Sequence, residues 1–175
     1  PAVAGYIIFA GGGHAVAELT AELRERAGIP LLIGSDLERG AGQQFEGLTG
    51  APPLAALGAL RDESAIRHVA SLSAREARSV GVNWIYSPVC DLDVTPENPI
   101  VGTRSFGGEP QRVGEQVFAW IRACQEQGVL ACAKHFPGHG RTTGDSHATL
   151  AVVHASRQVL VAEGLVPFRA ALNDE

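Results

Sequence analysis

An apolar run passes directly into a polar loop in the stretch Gly128-Val-Leu-Ala-Cys-Ala-Lys134-His135-Phe-Pro-Gly-His139-Gly-Arg-Thr-Thr-Gly-Asp145-Ser-His147. The apolar run is typical of a buried strand. The loop holds three histidines, a lysine, an arginine and an aspartate, and its glycines and proline exclude regular structure. Titratable side chains that directly follow a strand are typical of the functional face of an α/β protein.

The same order of strand, loop and helix occurs four times along the chain. Apolar runs predict strands over 5–10, 31–35, 82–89 and 128–133, with the first strand buried. Helices are predicted over about 15–27, 52–60, 62–80, 111–127 and 156–172, the last one broken at Pro167. The long polar loops follow strands and the returns are short, which indicates a parallel α/β sheet of the (β/α)8 TIM-barrel type. Only about half of the barrel is present, because a full barrel takes about 250 residues.

Composition narrows the function classes. The chain has 175 residues, of which 45% are hydrophobic and 19% charged, and its net charge is −5 with scattered basic residues. This balance predicts an ordinary folded domain with no nucleic-acid surface and no membrane span. The start of the chain lacks the basic region of a signal peptide, so we expect a cytoplasmic protein. The early strand also suggests that an upstream segment is missing. Cys90, Cys124 and Cys132 are expected to be buried reduced thiols.

Four polar side chains lie at or just beyond predicted strand ends, namely Asp36, Arg104, Lys134 and His135. In a barrel the carboxyl ends of the strands converge on one pocket. A carboxylate, a guanidinium, an ammonium and an imidazole together offer donors and acceptors for several hydroxyl or amide groups. The set predicts a pocket for a sugar.

Asp145 and His147 form a second candidate group. A histidine exchanges protons near physiological pH, and a nearby carboxylate fixes its tautomer and stabilises its charged form. Gly144 permits an unusual turn that brings positions i and i+2 together. We interpret this pair as a catalytic dyad rather than as a turn residue beside a surface histidine, because Lys134, His135 and His139 lie just upstream.

A zinc site and a dinucleotide site are both disfavoured. A zinc ion held by His135, His139, Asp145 and His147 would resemble a helical His-x-x-x-His site, but the proline and glycines exclude the helix. A dinucleotide site would use Gly11-Gly12-Gly13 and Asp36, but the third glycine of that fingerprint is replaced by Val16.

The motifs resemble those of glycoside hydrolase family 3, in its β-N-acetylhexosaminidase (NagZ-like) branch. The loop from Lys134 to His147 is similar to the family's Lys-His-Phe-Pro-Gly-His-Gly and Asp-Ser-His motif. Three further segments resemble the family's Asp-x-Glu-x-Gly loop, its Gly-(Ile/Val)-Asn…Pro-Val-x-Asp strand and its Arg-Ser-Phe-Gly loop. They are Ser35-Asp36-Leu-Glu-Arg-Gly40, Gly81-Val-Asn-Trp-Ile-Tyr-Ser-Pro-Val-Cys-Asp91 and Gly102-Thr-Arg104-Ser-Phe-Gly107.

The resemblance implies a retaining enzyme that releases terminal β-linked N-acetylglucosamine, for example in cell-wall recycling, with no metal or organic cofactor. His147 would be the general acid/base paired with Asp145, while Asp36, Arg104, Lys134 and His135 would bind the sugar. The nucleophile of such enzymes is an aspartate on a later strand's loop, and Asp174 does not fit that place.

By the same resemblance, residues 1–175 would be part of the catalytic barrel domain, and a missing segment or another chain would supply the rest. The alternatives are a β-glucosidase of the same family and a non-catalytic sugar-binding or scaffold domain derived from it.

Overall fold

The computed structural model describes residues 3–172, so Asp174 lies outside the described residues. Strands and helices alternate as predicted. A 3-10 turn follows β2 at Ala41–Gln43, another precedes α4 at Gly102–Arg104, and a π turn at Leu160–Gly164 joins the last two helices. The elements are β1 (Gly5–Ile7), α1 (Gly13–Arg26), β2 (Leu32–Ser35), α2 (Leu54–Leu60), α3 (Glu63–Ser79), β3 (Trp84–Ile85), α4 (Pro110–Gln125), β4 (Leu130–Ala131), α5 (Arg157–Val159) and α6 (Val166–Leu172).

The four strands form one parallel sheet in the order β1-β2-β3-β4. Sequential parallel neighbours joined by helices are the arrangement of a (β/α) barrel, and four such units make up half of an eight-unit barrel. The predicted fold class is therefore confirmed. None of the helices within residues 3–172 combines the length and apolar character that a membrane crossing requires.

The core lies between the sheet and the helices. Ile33 of β2 and Ile85 of β3 are completely buried there. The apolar stripe of α4 is buried throughout and consists of Val113, Val117, Trp120, Ile121 and Cys124. Asp62 caps α3, because its carboxylate accepts a hydrogen bond from the Ser64 backbone N–H at 2.9 Å.

The expectation of a buried first strand is wrong. Tyr6, Ile7 and Phe9 are 41%, 53% and 62% exposed. Within the described residues β1 pairs with β2 alone, so it is an edge strand with one side open. Cys132 on the β4 side of the sheet is likewise half-buried rather than buried, whereas Cys90 and Cys124 are buried as expected.

The predicted last helix is also corrected. It is divided into α5, the π turn and α6, with the change at Leu165 rather than at Pro167. The Leu165 N–H donates to the carbonyl of Leu160 at 2.8 Å, which is the five-residue spacing of a π turn. Pro167 sits in the first turn of α6, where a missing N–H leaves no helical bond unmade.

Gly58 in α2 gives a test of how this helix supports the site. A Cβ at Gly58 would lie 2.0 Å from the carbonyl oxygen of Phe106, in the loop that carries Arg104. We expect Gly58→Ala to lower the free energy of unfolding by about 1–3 kcal/mol, despite the better helix propensity of alanine. Gly28→Ala, which meets nothing within 4 Å, is the control and should change stability by less than about 0.5 kcal/mol. Equal thermal unfolding temperatures for the two variants would contradict this packing.

Candidate active site

The extended segments after β3 and β4 stay side by side beyond the regular sheet. Val89 and Lys134 form a parallel bridge, and the Cys90 N–H donates to the Lys134 carbonyl at 2.6 Å. This pairing places Asp91 next to His135. Because β2 lies on the other side of β3 in the sheet, the carboxylates of the β2 loop reach the same end. The strand ends thus converge as the sequence predicts.

Glu38 is the centre of an ion-pair network at these strand ends. Its carboxylate accepts two hydrogen bonds from Arg104, from Nε at 2.8 Å and from Nη2 at 2.7 Å. Lys134 Nζ lies 2.7 Å from Glu38 Oε1 and 2.6 Å from Asp36 Oδ1. The predicted residues Asp36, Arg104 and Lys134 are therefore brought together, and Glu38 joins them.

The contacts within this network shift the pKa values of Glu38 and Arg104. Burial of Glu38, whose side chain is 8% exposed, would raise the pKa of its carboxyl, but the hydrogen bonds and charges of Arg104 and Lys134 outweigh that effect. The pKa of Glu38 falls from its ordinary value of 4.5 to about 2. The hydrogen bonds to Glu38 in turn raise the pKa of Arg104. Glu38 and Arg104 are therefore both charged at neutral pH.

Asp91 holds the loop that follows β4. Its buried carboxylate lies 2.6 Å from His135 Nδ1 and accepts the His139 backbone N–H at 2.6 Å. An ionised carboxylate only accepts hydrogen bonds, so Nδ1 of His135 carries the proton. Nε2 of a neutral His135 is then an acceptor, and Arg104 Nη2 lies 3.4 Å from it. The imidazole is thereby fixed in orientation and tautomer beside Arg104.

Asp145 and His147 contact each other on an exposed segment of the same loop. Asp145 Oδ1 lies 2.7 Å from His147 Nδ1 and accepts the His147 backbone N–H at 2.8 Å. The backbone N–H of His147, followed by its imidazole, lowers the pKa of Asp145. The His147 side chain is 79% exposed. Because Nδ1 is committed to the carboxylate, Nε2 is the ring nitrogen that remains for a further hydrogen bond.

The chain matches the model of the glycosyl hydrolase family 3 N-terminal domain over residues 12–175. It belongs to glycoside hydrolase family 3. A β-hexosaminidase of Xylella fastidiosa (strain M23) is 38% identical over 98% of this chain. A protein of Cellulomonas fimi named β-N-acetylglucosaminidase/β-glucosidase is 39% identical over 74% of it. The structure of a family 3 β-N-acetylglucosaminidase from Paenibacillus sp. str. FPU-7 superposes with a TM-score of 0.92, at 38% identity over 97% of this chain.

The chain spans part of each of these relatives. It corresponds to 53% of the Xylella protein, 23% of the Cellulomonas protein and 34% of the Paenibacillus chain. The resemblance to family 3 drawn from the motifs is confirmed over nearly the whole chain.

Two residues of this family 3 site were missed by sequence reasoning, namely Glu38 and Asp91. Both stand inside motifs that carry the family resemblance, and both follow strands. Their position at converging strand ends was the signal that could have identified them. Glu38 is two residues beyond Asp36 and therefore lies on the same side of an extended segment. What the pattern could not show is that both side chains point to other protein groups.

The geometry gives no support to the zinc site or to the dinucleotide site. In the part of the chain that the structure describes, no three or more His, Cys, Asp or Glu side chains are grouped to hold a metal ion. The glycine turn before α1 is also occupied, because the Gly13 N–H donates to the Glu46 carbonyl at 3.0 Å and Gly12 bridges to the same residue. A phosphate would need that backbone donor. Asp36 is paired with Lys134 instead of standing alone for a ribose.

The depressed pKa of Glu38 predicts a pH-dependent contribution to stability. The shift from 4.5 to about 2 corresponds to about 3 kcal/mol, fully present above pH 4.5 and lost as the pH falls through about 2. We therefore expect Glu38→Gln to lower the free energy of unfolding by about 3 kcal/mol at pH 7. This difference from the wild type should shrink between about pH 4.5 and 2. Urea unfolding at several pH values measures it.

The control for this experiment is Glu25→Gln, on the exposed side of α1. An exposed substitution of this kind should shift stability by less than about 0.5 kcal/mol throughout the range. A Glu38→Gln deficit that stays the same from pH 7 to pH 2 would show that the ion pairs are not its source.

Proposed function

We propose that this family 3 chain is part of the catalytic barrel of a retaining β-N-acetylhexosaminidase, which releases terminal β-linked N-acetylglucosamine from glycosides such as cell-wall fragments. The observation that carries the proposal is the contact between Asp145 and His147. The two residues lie on the loop that begins with Lys134 and His135. The β-hexosaminidase and β-N-acetylglucosaminidase names of its relatives support the same substrate. The protein is proposed to act in the cytoplasm.

Asp36, Arg104, Lys134 and His135 are proposed to bind the sugar. Asp36 is 35% exposed and His135 is 38% exposed at the side chain, so both present polar atoms to a ligand. Lys134 is 14% exposed and supplies the ammonium that orients Asp36. A ring hydroxyl donates to the carboxylate of Asp36 and accepts from the cations, while His135 Nε2 accepts a further hydroxyl proton.

His147 is proposed as the general acid/base. A double displacement needs one group that attacks the anomeric carbon and another that protonates the leaving oxygen and then activates water. The imidazolium form of His147 gives a proton from Nε2 in the first step, and the neutral form takes one from water in the second. Asp145 stabilises the charged form through Nδ1, as the contact at 2.7 Å allows.

The nucleophile is proposed to be an aspartate of a later strand, outside this chain. The remaining half of the barrel, from a further segment or another chain, would then pair with the open sides of β1 and β4. Unpaired strand edges are prone to associate, which favours such pairing.

A β-glucosidase is the second candidate function, because the Cellulomonas relative carries both activities in its name. The two substrates differ at the 2-substituent, an acetamido group in one and a hydroxyl in the other. A non-catalytic sugar-binding or scaffold role is the remaining alternative, and it predicts no turnover of either substrate.

Kinetics on the full-length protein test the proposal, with an aryl β-N-acetylglucosaminide and the matching aryl β-glucoside as substrates. We expect a preference for the glucosaminide. His147→Ala should lower kcat by about 10²–10⁴-fold, the usual contribution of a general acid/base. His154→Ala is the control, because His154 is exposed further along the chain and should leave kcat unchanged.

Three outcomes would contradict parts of this account. Preference for the glucoside would replace the substrate assignment, and unchanged activity of His147→Ala would remove the dyad. Lack of turnover of both substrates by the folded full-length protein would favour the non-catalytic alternative.

A further inference from the structure

His139 is a motif residue to which neither the sugar pocket nor the dyad gives a role. Its main chain is held from both sides. The N–H donates to the buried carboxylate of Asp91 at 2.6 Å, and the carbonyl accepts from Nδ2 of Asn98 at 2.9 Å. A residue anchored in this way presents its ring in a defined direction.

The ring of His139 reaches the dyad segment. Nδ1 lies 2.5 Å from Oγ1 of Thr142, which is buried, and Nε2 lies 3.1 Å from Oγ of Ser146. Ser146 stands between Asp145 and His147. Asp91 therefore connects the sugar pocket to the dyad through His139, since the same carboxylate also binds His135.

The dyad segment, residues 143–150, has few other attachments. Asp145 organises it from within, because its carbonyl accepts the N–H groups of Ala148 and Thr149 and its carboxylate binds His147. Across residues 3–172, the hydrogen bonds that reach the segment from outside come from His139 to Ser146 and from Thr142 to the Gly144 carbonyl, the latter at 3.5 Å. Ser146 to Leu150 are exposed.

We propose that His139 is a positioning residue for the acid/base group, acting through its hydrogen bond to Ser146. This inference rests on the proposed function of the dyad. The Asp145–His147 contact is internal to the segment, so it survives when His139 is changed. The placement of the whole segment over the sugar is lost instead, and a displacement of about 1 Å can cost about 10²-fold in rate.

The dependence of the rate on the leaving group separates this role from a structural one. Phenyl is a poor leaving group and needs the acid, whereas 2,4-dinitrophenyl departs with little proton transfer. For His139→Ala we expect kcat/KM on the phenyl β-N-acetylglucosaminide to fall by about 10–100-fold and on the dinitrophenyl substrate by less than about 3-fold. A residue that only supports the fold would lower both values equally.

Ser146 provides a second, independent variant. Ser146→Ala removes the same hydrogen bond from an exposed residue, so folding is preserved if His139→Ala proves unstable. We expect the same leaving-group pattern, and the double variant should be no worse than the more affected single variant, since both remove one interaction. Ser146→Thr keeps a hydroxyl and should restore kcat/KM on the phenyl substrate to within about 3-fold of the wild type. His68→Gln, on the exposed side of α3, is the control.

His147→Ala is measured in the same series. It distinguishes a failure of the positioning role of His139 from a failure of the acid/base role of His147. If His147→Ala loses activity selectively on phenyl while His139→Ala and Ser146→Ala lose equally on both substrates or lose nothing, the positioning role is overturned and the dyad stands. If His147→Ala itself shows no leaving-group selectivity, the proposed function fails and the positioning role falls with it.

Discussion

The carboxylate of Glu38 ties the loop after β2 to the loop before α4 and to the loop after β4. Arg104 and Lys134 arrive from different units of the barrel and meet on one buried anion. Removing the anion would take the carboxylate partner from Arg104 and leave Asp36 to balance Lys134, which is costly in a partly desolvated place. This pairing holds Arg104 and Lys134 together at the strand ends.

A second carboxylate, that of Asp91, holds the loop after β4 in place. It fixes His135 through the ring and His139 through the backbone. The site therefore has two levels. Glu38 and Asp91 contact protein groups, while Asp36 and His135 keep atoms available for a ligand. Supporting residues that fix the side chains available for a ligand are typical of a preorganised polar binding site.

The alternation of apolar runs and helices was enough to predict the parallel barrel-type fold, because long polar loops follow the strands and the returns are short. The clustering of Asp36, Arg104, Lys134 and His135 was predictable for the same reason, since parallel strand ends must converge. Glu38 and Asp91 were not predicted as site residues, because a sequence does not show whether a carboxylate faces solvent, a ligand or a buried cation. The contact of His139 with Ser146 depends on the path of an irregular loop, and no periodic pattern encodes such a path.

The error about β1 has a physical cause in the sheet register. Ile7 pairs with Gly34, and Gly34 with Trp84, so these residues share the face that lies inside a barrel. Leu32 and Leu130 lie on that same face and are 40% and 49% exposed. An apolar run predicts burial on both faces, but four strands cover only the face that packs against their own helices. Tyr6 lies on that covered face and is exposed because β1 is at the edge of the sheet.

The central claim is that the converging strand ends form a subsite for N-acetylglucosamine. A crystal structure of the full-length protein with that sugar tests it most directly. The account predicts ring hydroxyls within hydrogen-bond distance of Asp36, Arg104, Lys134 and His135, with Glu38 and Asp91 retaining their protein partners. A sugar bound without contact to Asp36 and Lys134, or one that displaces Arg104 from Glu38, would contradict it.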